Sequence, residues 1–325
     1  MTPLISQPPA PNPMLRWLRA QRNVLVIWAI LLALFVFAGV VSDRFLTPFN
    51  LERVAAQLTI LALVAIGQTF VLLTAGIDLS VGSVISLVNT VLVGVITEDP
   101  SSWLAALAIA LLIGALVGLV NGLVITRLRL SPFMVTLATL SIVQGLALVA
   151  YATFNGTLPR EFGRTLTGNV GPVPIPLLIV IGATAAAAFV LRQTTFGRHI
   201  YAVGSNENAT RLSGLATDRV KVSVYIICGM MAGLAGLYTS ARTLSSSPLI
   251  GESLTFESIT AVVLGGISLF GGRGSVLGTL AGVLIIAILS NLLNLLRIPS
   301  DFQYVLRGSL LVIAVMIYSR RGRDT

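Results

Sequence analysis

One histidine and one cysteine occur in 325 residues. A lone His199 excludes a histidine cluster, and a lone Cys228 excludes an intrachain disulfide or a multi-cysteine metal site. Charge is also scarce: 10% of the residues are Asp, Glu, Lys or Arg, against about 25% in a soluble domain. So little polarity cannot cover a water-soluble fold of this length. A phosphate loop is missing too. GGRGS at 271–275 has the glycines but lacks the lysine and the spacing that cradle a nucleotide phosphate. No nucleophile–base set stands out, so no catalytic residue, metal site or resident cofactor is expected, and the chain is read as non-enzymatic.

What the sequence does have is apolar length. The mean hydropathy is +0.94 and 55% of residues are hydrophobic. Uncharged runs cover 54–77, 79–97, 100–126, 130–159, 165–191, 222–241 and 274–296. A membrane span needs roughly 20 such residues. The runs predict an all-α polytopic membrane protein with about ten helices: 24–41, 54–74, 80–96, 102–126, 132–152, 175–192, 222–242, 257–271, 275–296 and 302–319. GNVGPVPIP at 168–176 reads as a break before the sixth. The expected division is a tail at 1–23, one membrane domain at 24–319 and a tail at 320–325. The first apolar run, preceded by Arg16, Arg19 and Arg22, is longer than a signal-peptide core and is read as an uncleaved span.

The net charge is +9. Basic residues flanking spans set orientation, so the excess points to the lipid bilayer and not to nucleic acid. Placing both termini inside puts fourteen of the 21 basic residues on inner segments. That arrangement makes 193–221, QTTFGRHIYAVGSNENATRLSGLATDRVK, a large inner loop. Its middle predicts a short helix capped by Ser205 or Asn206, with Glu207 in the first turn and Gly214 as the stop. Ala209, Leu212 and Leu215 supply an apolar face with Arg211 and Glu207 as rim charges. Such a helix either rests on lipid or forms a knob for a cytoplasmic partner.

Glycine repeats mark close helix packing: Gly274, Gly278 and Gly282; Gly229, Gly233 and Gly236; Gly114 and Gly118. Two segments interrupt helix. LTAGIDLSVGS at 73–83 holds Gly76, Asp78, Ser80 and Gly82, and FGGRGSV at 270–276 holds Gly271, Gly272 and Gly274. These residues form a structural break or gate. The triplet Gly82-Ser83-Val84 matches Gly274-Ser275-Val276 at an offset of 192, a trace of internal repetition. A carboxylate at the centre of a lipid-facing helix costs roughly 2.5–3.5 kcal/mol. Asp78 or Ser80 is therefore expected to cap a new helix, Asp78 through the amides of Ser80 or Val81, with a direct role in ligand or proton movement, or in coupling to a cytoplasmic partner, as the alternatives. Gln68, Ser86, Asn89, Thr136, Asn291 and Asn294 are candidates for lining a solute path, together with Gln57, Asn121, Gln144 and Ser290. Hydroxyls and amides suit an uncharged polyol.

LTAGIDLSVGS, GRHIYAVGSNENATRLSG at 197–214, NGLVITRLRLSPFMVTLATLSIVQGLAL at 121–148 and AVVLGGISLFGGRGSVLGTLAG at 261–282 resemble the ribose/xylose-type sugar permeases of bacterial ABC importers, over about 50–319. The resemblance implies a permease subunit in the bacterial inner membrane that pairs with a second copy, identical or related. Two cytoplasmic subunits would bind ATP and Mg, and a periplasmic protein would deliver a pentose or related monosaccharide. The family's coupling helix would fall on Asn206, Glu207, Asn208, Ala209, Arg211, Leu212 and Gly214. SSSPLIGESLTFESI at 245–259 departs from the ribose-permease pattern after Pro248. Other solutes of the same importer class (a nucleoside, a sugar derivative or a branched-chain amino acid) are the alternative reading. A lone ion-coupled carrier using Asp78 is a third.

Overall fold

The computed structural model describes residues 13–299 and the pairs 302–303, 305–306 and 308–309, with side chains from residue 25 onward. The described residues form twelve α-helices and one small hairpin. They run α1 Pro13–Val41, α2 Pro48–Leu73, α3 Val81–Val93, α4 Ser101–Arg127, α5 Pro132–Thr153 and α6 Arg160–Thr167. The hairpin β1 Asn169–Val170 and β2 Val173–Pro174 turns at Gly171 and realises the expected break at 168–176. Then follow α7 Ile175–Gln193, α8 Thr195–Ser205, α9 Glu207–Leu212, α10 Thr217–Thr243, α11 Glu252–Leu264 and α12 Val276–Leu295.

Among the described residues six helices are long and apolar enough to cross a membrane: α2, α4, α5, α7, α10 and α12. This differs from the ten spans expected. The third and eighth are realised as α3 and α11, each 13 residues long. At 1.5 Å per residue each reaches about 20 Å, short of a bilayer core of about 30 Å. Each abuts a break, and irregular backbone is tolerated at membrane depth only where protein encloses it. α3 meets that condition among α4, α5, α10 and α11. The apolar part of the first span is Leu25–Val41, and α1 itself starts earlier, at Pro13. Most of the tenth span, together with residues 1–12 and 310–325, lies outside the described residues.

α2 forms the axis: its apolar window is 89% buried, followed by α12 at 78% and α10 at 56%, whereas α4 and α5 are at 22% and α7 at 28%. The outer helices are greasy all round because lipid, like the core, favours apolar side chains. Close helix contact depends on glycine. The backbones of Gly114 and Gly229 touch each other, Gly118 lies on the Tyr225 carbonyl, and Gly233 lies on the Ala110 carbonyl. Gly265 and Gly278 pair in the same way between α11 and α12, and Gly282 rests on Ala261. The matching triplets at offset 192 occupy different places. Gly82 and Ser83 lie inside α3, whereas Gly274 and Ser275 precede α12, with Ser275 capping it through Gly278 N at 3.2 Å. The triplets therefore do not mark equivalent turns.

Candidate functional site

The chain leaves α2 at Thr74 and enters α3 at Val81 through an irregular segment that is exposed at Ala75 and buried from Asp78 to Ser80. Ala75 takes the left-handed region, with φ of 59°, a conformation costing a non-glycine residue roughly 1–2 kcal/mol. Polar contacts from four helices hold it. Gln68 Nε2 donates to the Asp78 carbonyl at 2.6 Å and Tyr225 Oη to the Ile77 carbonyl at 3.2 Å. Thr136 Oγ1 donates to its own helix at Pro132, 2.8 Å, with a longer 3.4 Å approach to the Ile77 carbonyl. Asp78 is buried, and its Oδ1 accepts from both the Ser80 amide, at 2.9 Å, and the Ser80 hydroxyl, at 2.6 Å. Asn121 Nδ2 then donates to Ser80 Oγ at 3.0 Å, and Thr139 Oγ1 to Asn121 Oδ1 at 2.7 Å. The carboxylate thus holds the turn before α3 and not the expected cap: Ser80 is the N-cap residue, α3 has no side-chain cap bond, and Asp78 reaches the Ser80 amide but not Val81.

Asp78→Asn retains an oxygen for both Ser80 groups, so assembly and transport stay close to wild type. Asp78→Leu strands two buried donors, each worth about 1–3 kcal/mol. We expect it to lower the midpoint of thermal unfolding in detergent and to reduce transport. A transport-dead but normally assembled Asp78→Asn would show that the negative charge itself is needed.

The two breaks and the 193–221 segment meet. Gly272 N donates to the Leu73 carbonyl at 2.9 Å, and Tyr201 Oη to the Gly274 carbonyl at 3.0 Å. Gly204, at the end of α8, lies directly on Leu73 O and Gly272 N, so a side chain there would collide with both. Gly271, Gly272 and Gly274 have φ of 82°, 68° and 134°, which permits this tight wrapping. α8 was not expected from sequence. Its signal was the Thr194 cap, bonded to Gly197 N at 3.1 Å, followed by apolar Phe196, Ile200 and Val203 at helical spacing.

Beyond α8 the chain reverses at Asn206, whose Oδ1 caps α9 through Ala209 N at 2.9 Å. Thr210 is buried and bonds Ala202 O at 2.9 Å, fixing α9 against α8. Gly214 ends the turn with φ of 86°. The expected rim charges bond within the chain. Arg211 donates to Glu207 at 3.0 Å and to Asp218 at 2.8 Å, and Lys221 donates to Glu207. Asn208 and Ala209 are exposed, and Leu212 is 90% exposed. The result is an elbow with an apolar tip, tied to α8 and to the start of α10.

Partial burial pushes the Glu207 carboxyl up, but the hydrogen bond and charge of Lys221, with help from Arg211, hold it below its ordinary 4.5. A depressed carboxylate stabilises the fold fully above its unfolded value and loses that contribution as pH falls through the folded one. Solvent at this third-exposed side chain moderates the effect. Protection of the 207–212 amides against hydrogen exchange should therefore be level from about pH 8 to about 6 and fall below about pH 4.

The remaining path candidates are dispersed. Asn89 and Ser86 hold the loop before α11: Asn89 bonds Ser240, Ser245 and Ser247 at 2.8–3.2 Å, and Ser86 accepts from Gly251 N at 3.0 Å. Gly82 N donates to Thr255 Oγ1 at 3.1 Å, which brings α3 and α11 together. Gln144 reaches the Pro248 carbonyl at 2.6 Å. Asn291 exchanges two hydrogen bonds with Asn50, at 3.0 and 2.8 Å, and joins α12 to α2. Asn294 is exposed and accepts from Gln303 at 2.9 Å. Gln68, Ser86, Asn89, Thr136 and Asn291 are all buried and make hydrogen bonds within the protein. Such interhelical bonds orient the bundle.

A bundle of apolar spans, a pinned break at its axis and an exposed elbow bound to that break describe a polytopic membrane permease. The chain belongs to the family described as the permease component of the branched-chain amino acid transport system, whose model matches residues 50–315. It is 37% identical over 313 residues to the ribose import permease protein of Escherichia coli K12, covering 94% of this chain and 95% of that one. The ribose import permease protein of Bacillus subtilis 168 is 40% identical over 299 residues, covering 90% and 91%. The fructose import permease protein of Rhizobium meliloti is 35% identical, covering 89% and 82%.

Proposed function

We propose that this chain is the transmembrane permease subunit of an ATP-driven importer carrying a monosaccharide across the bacterial inner membrane. The observation that carries this reading is the alignment of sugar import permeases over about nine-tenths of the chain, at 35–40% identity. On this reading residues 24–319 form one membrane domain, 193–221 its cytoplasmic coupling loop, and 1–23 and 320–325 cytoplasmic tails. The chain acts with a second permease copy, two ATP-binding subunits and a periplasmic sugar-binding protein. ATP and Mg belong to the ATP-binding subunits.

The geometry supports a mechanical path. A partner seated on Leu212 moves α9, and α9 carries α8 through Thr210. α8 meets both breaks at Gly204, so its displacement reaches Leu73 and Gly272 together. Force at the elbow thereby biases the bundle between two packed arrangements, through contacts that differ between them. The placement of Asp78 supports a positioning role, since its Oδ1 accepts twice from Ser80.

Reconstitution tests the proposal. Vesicles holding the permease, its ATP-binding subunits and the binding protein should take up ribose or another monosaccharide only with ATP and Mg inside the nucleotide-facing compartment. Uptake by the permease alone under a proton or sodium gradient would overturn it. Uptake of leucine in place of sugars would move the chain to the amino-acid branch that its family description names.

A further inference from the structure

We infer that a cavity of about 260 Å³ between α2, α10, α11 and α12 is a binding waypoint for one neutral monosaccharide. The inference rests on the sugar-importer reading and supplies that reading with a site.

The cavity lies among four helix ends. α2 contributes Gln57, near its start; α10 contributes Thr239 and Arg242, near its end; α11 contributes Ser253 and Glu257, in its first turns; and α12 contributes Ser290. Thr239 and Ser290 are buried, Gln57, Ser253 and Glu257 are half-buried, and Arg242 is exposed. Polarity therefore runs from floor to mouth. Apolar Leu61 and Ile286 share the floor with the two buried hydroxyls.

Three features select the ligand class. The Arg242 guanidinium and the Glu257 carboxylate both line this space, so among its described lining residues neither sign of charge is in excess. Gln57 and Ser253 can both donate and accept, and the Thr239 hydroxyl, which donates to the Ala235 carbonyl at 2.7 Å, can still accept, as a ring of sugar hydroxyls requires. Leu61 and Ile286 offer an apolar face to sugar C–H groups. A zwitterionic amino acid would use the charged pair but leave most of this polar set idle. The volume falls below the roughly 300–1,000 Å³ of pockets for drug-sized ligands, which suits one sugar ring and not an oligosaccharide.

A second cavity, on another face of α2 and α10, provides a contrast. It encloses about 390 Å³, is lined by Leu63, Trp103, Phe162 and Leu237, and has no charged side chain. The polar set is thus confined to one side of the same two helices. The walls of the polar cavity also continue to the elbow. α2 ends at Leu73, and α11 and α12 are joined by the loop containing Gly272, the two points on which Gly204 rests. Movement of the elbow would alter the shape of the cavity, as loading and release of a solute require.

The test uses the complete reconstituted transporter with ribose, fructose, L-arabinose, D-allose and leucine as probes. Gln57→Leu should raise KM for the sugar that the wild type carries by about tenfold, the value of one lost hydrogen bond to solute. It should also change the ratio of pentose to hexose uptake. A second measurement does not depend on ATP. Cys228 is buried, so Ser253→Cys introduces a reactive thiol into the cavity wall, and millimolar amounts of the carried sugar should slow its modification by a maleimide. If the wild type imports sugar but Gln57→Leu leaves KM and the uptake ratio unchanged, and sugar fails to protect Cys at 253, the waypoint is refuted and the importer reading stands. If the wild type imports none of the sugars, that reading fails and the waypoint fails with it.

Discussion

Gly118→Leu should leave almost no monodisperse protein in detergent extracts, whereas Gly145→Leu should extract as well as wild type. The difference follows from what each glycine faces. A Cβ at 118 would run into the carbonyl of Tyr225 and the Cα of Ile226, and one at 145 would meet nothing. Overpacking costs about 1–3 kcal/mol where side chains can yield. Here the obstacle is backbone, so the whole of α4 must separate from α10. Gly114 against Gly229 and Gly122 against Val222 would open along with it. Tyr225 is also the residue whose hydroxyl holds the Ile77 carbonyl at 3.2 Å. The damage would therefore reach the break before α3. Expression as a fluorescent fusion, followed by size-exclusion chromatography, reads the result. A normal Gly118→Leu profile would mean that the two helices do not need this close approach.

Leu212→Asp is expected to reduce ATP-driven uptake by about thirtyfold or more at unchanged permease yield. Central apolar contacts in interfaces cost about 2 kcal/mol or more when truncated, which is about thirtyfold, and a carboxylate adds a desolvation penalty. The side chain is 90% exposed, so the isolated subunit loses no packing. The ATP-binding subunits should co-purify poorly with the variant. Ser213→Ala, one position along and bonded only within α9, should behave as wild type. Full co-purification and full uptake by Leu212→Asp would remove the elbow tip from the coupling route.

Much of this architecture is legible in the sequence because lipid imposes length and hydropathy on every span. The short helix at 207–212, its Asn206 cap and its Gly214 stop follow from local chemistry, and so does the turn made by Asp78 and Ser80. The rest depends on partners far apart in the chain. Nothing near Asn50 indicates that it will pair with Asn291, and nothing near Thr69 indicates Thr279, 2.7 Å away. Half-length helices are hidden for a related reason. Val81–Val93 is as apolar as a full span and Glu252–Leu264 ends in an apolar run, and only the breaks beside them show that each stops at 13 residues. Arg242 and Glu257 read as ordinary charges at span ends, and only the fold places them on one cavity.

The attachment of α9 also bears on how such elbows diversify. Glu207 and Arg211 reach across to Lys221 and Asp218, which belong to the following helix. A chimera that grafts residues 205–214 from another permease would carry the docking surface but lose its anchors. Exchanging 205–221 as one cassette transfers both. Residues 205–221 therefore behave as one structural unit, in which the elbow is held by side chains of the helix that follows it.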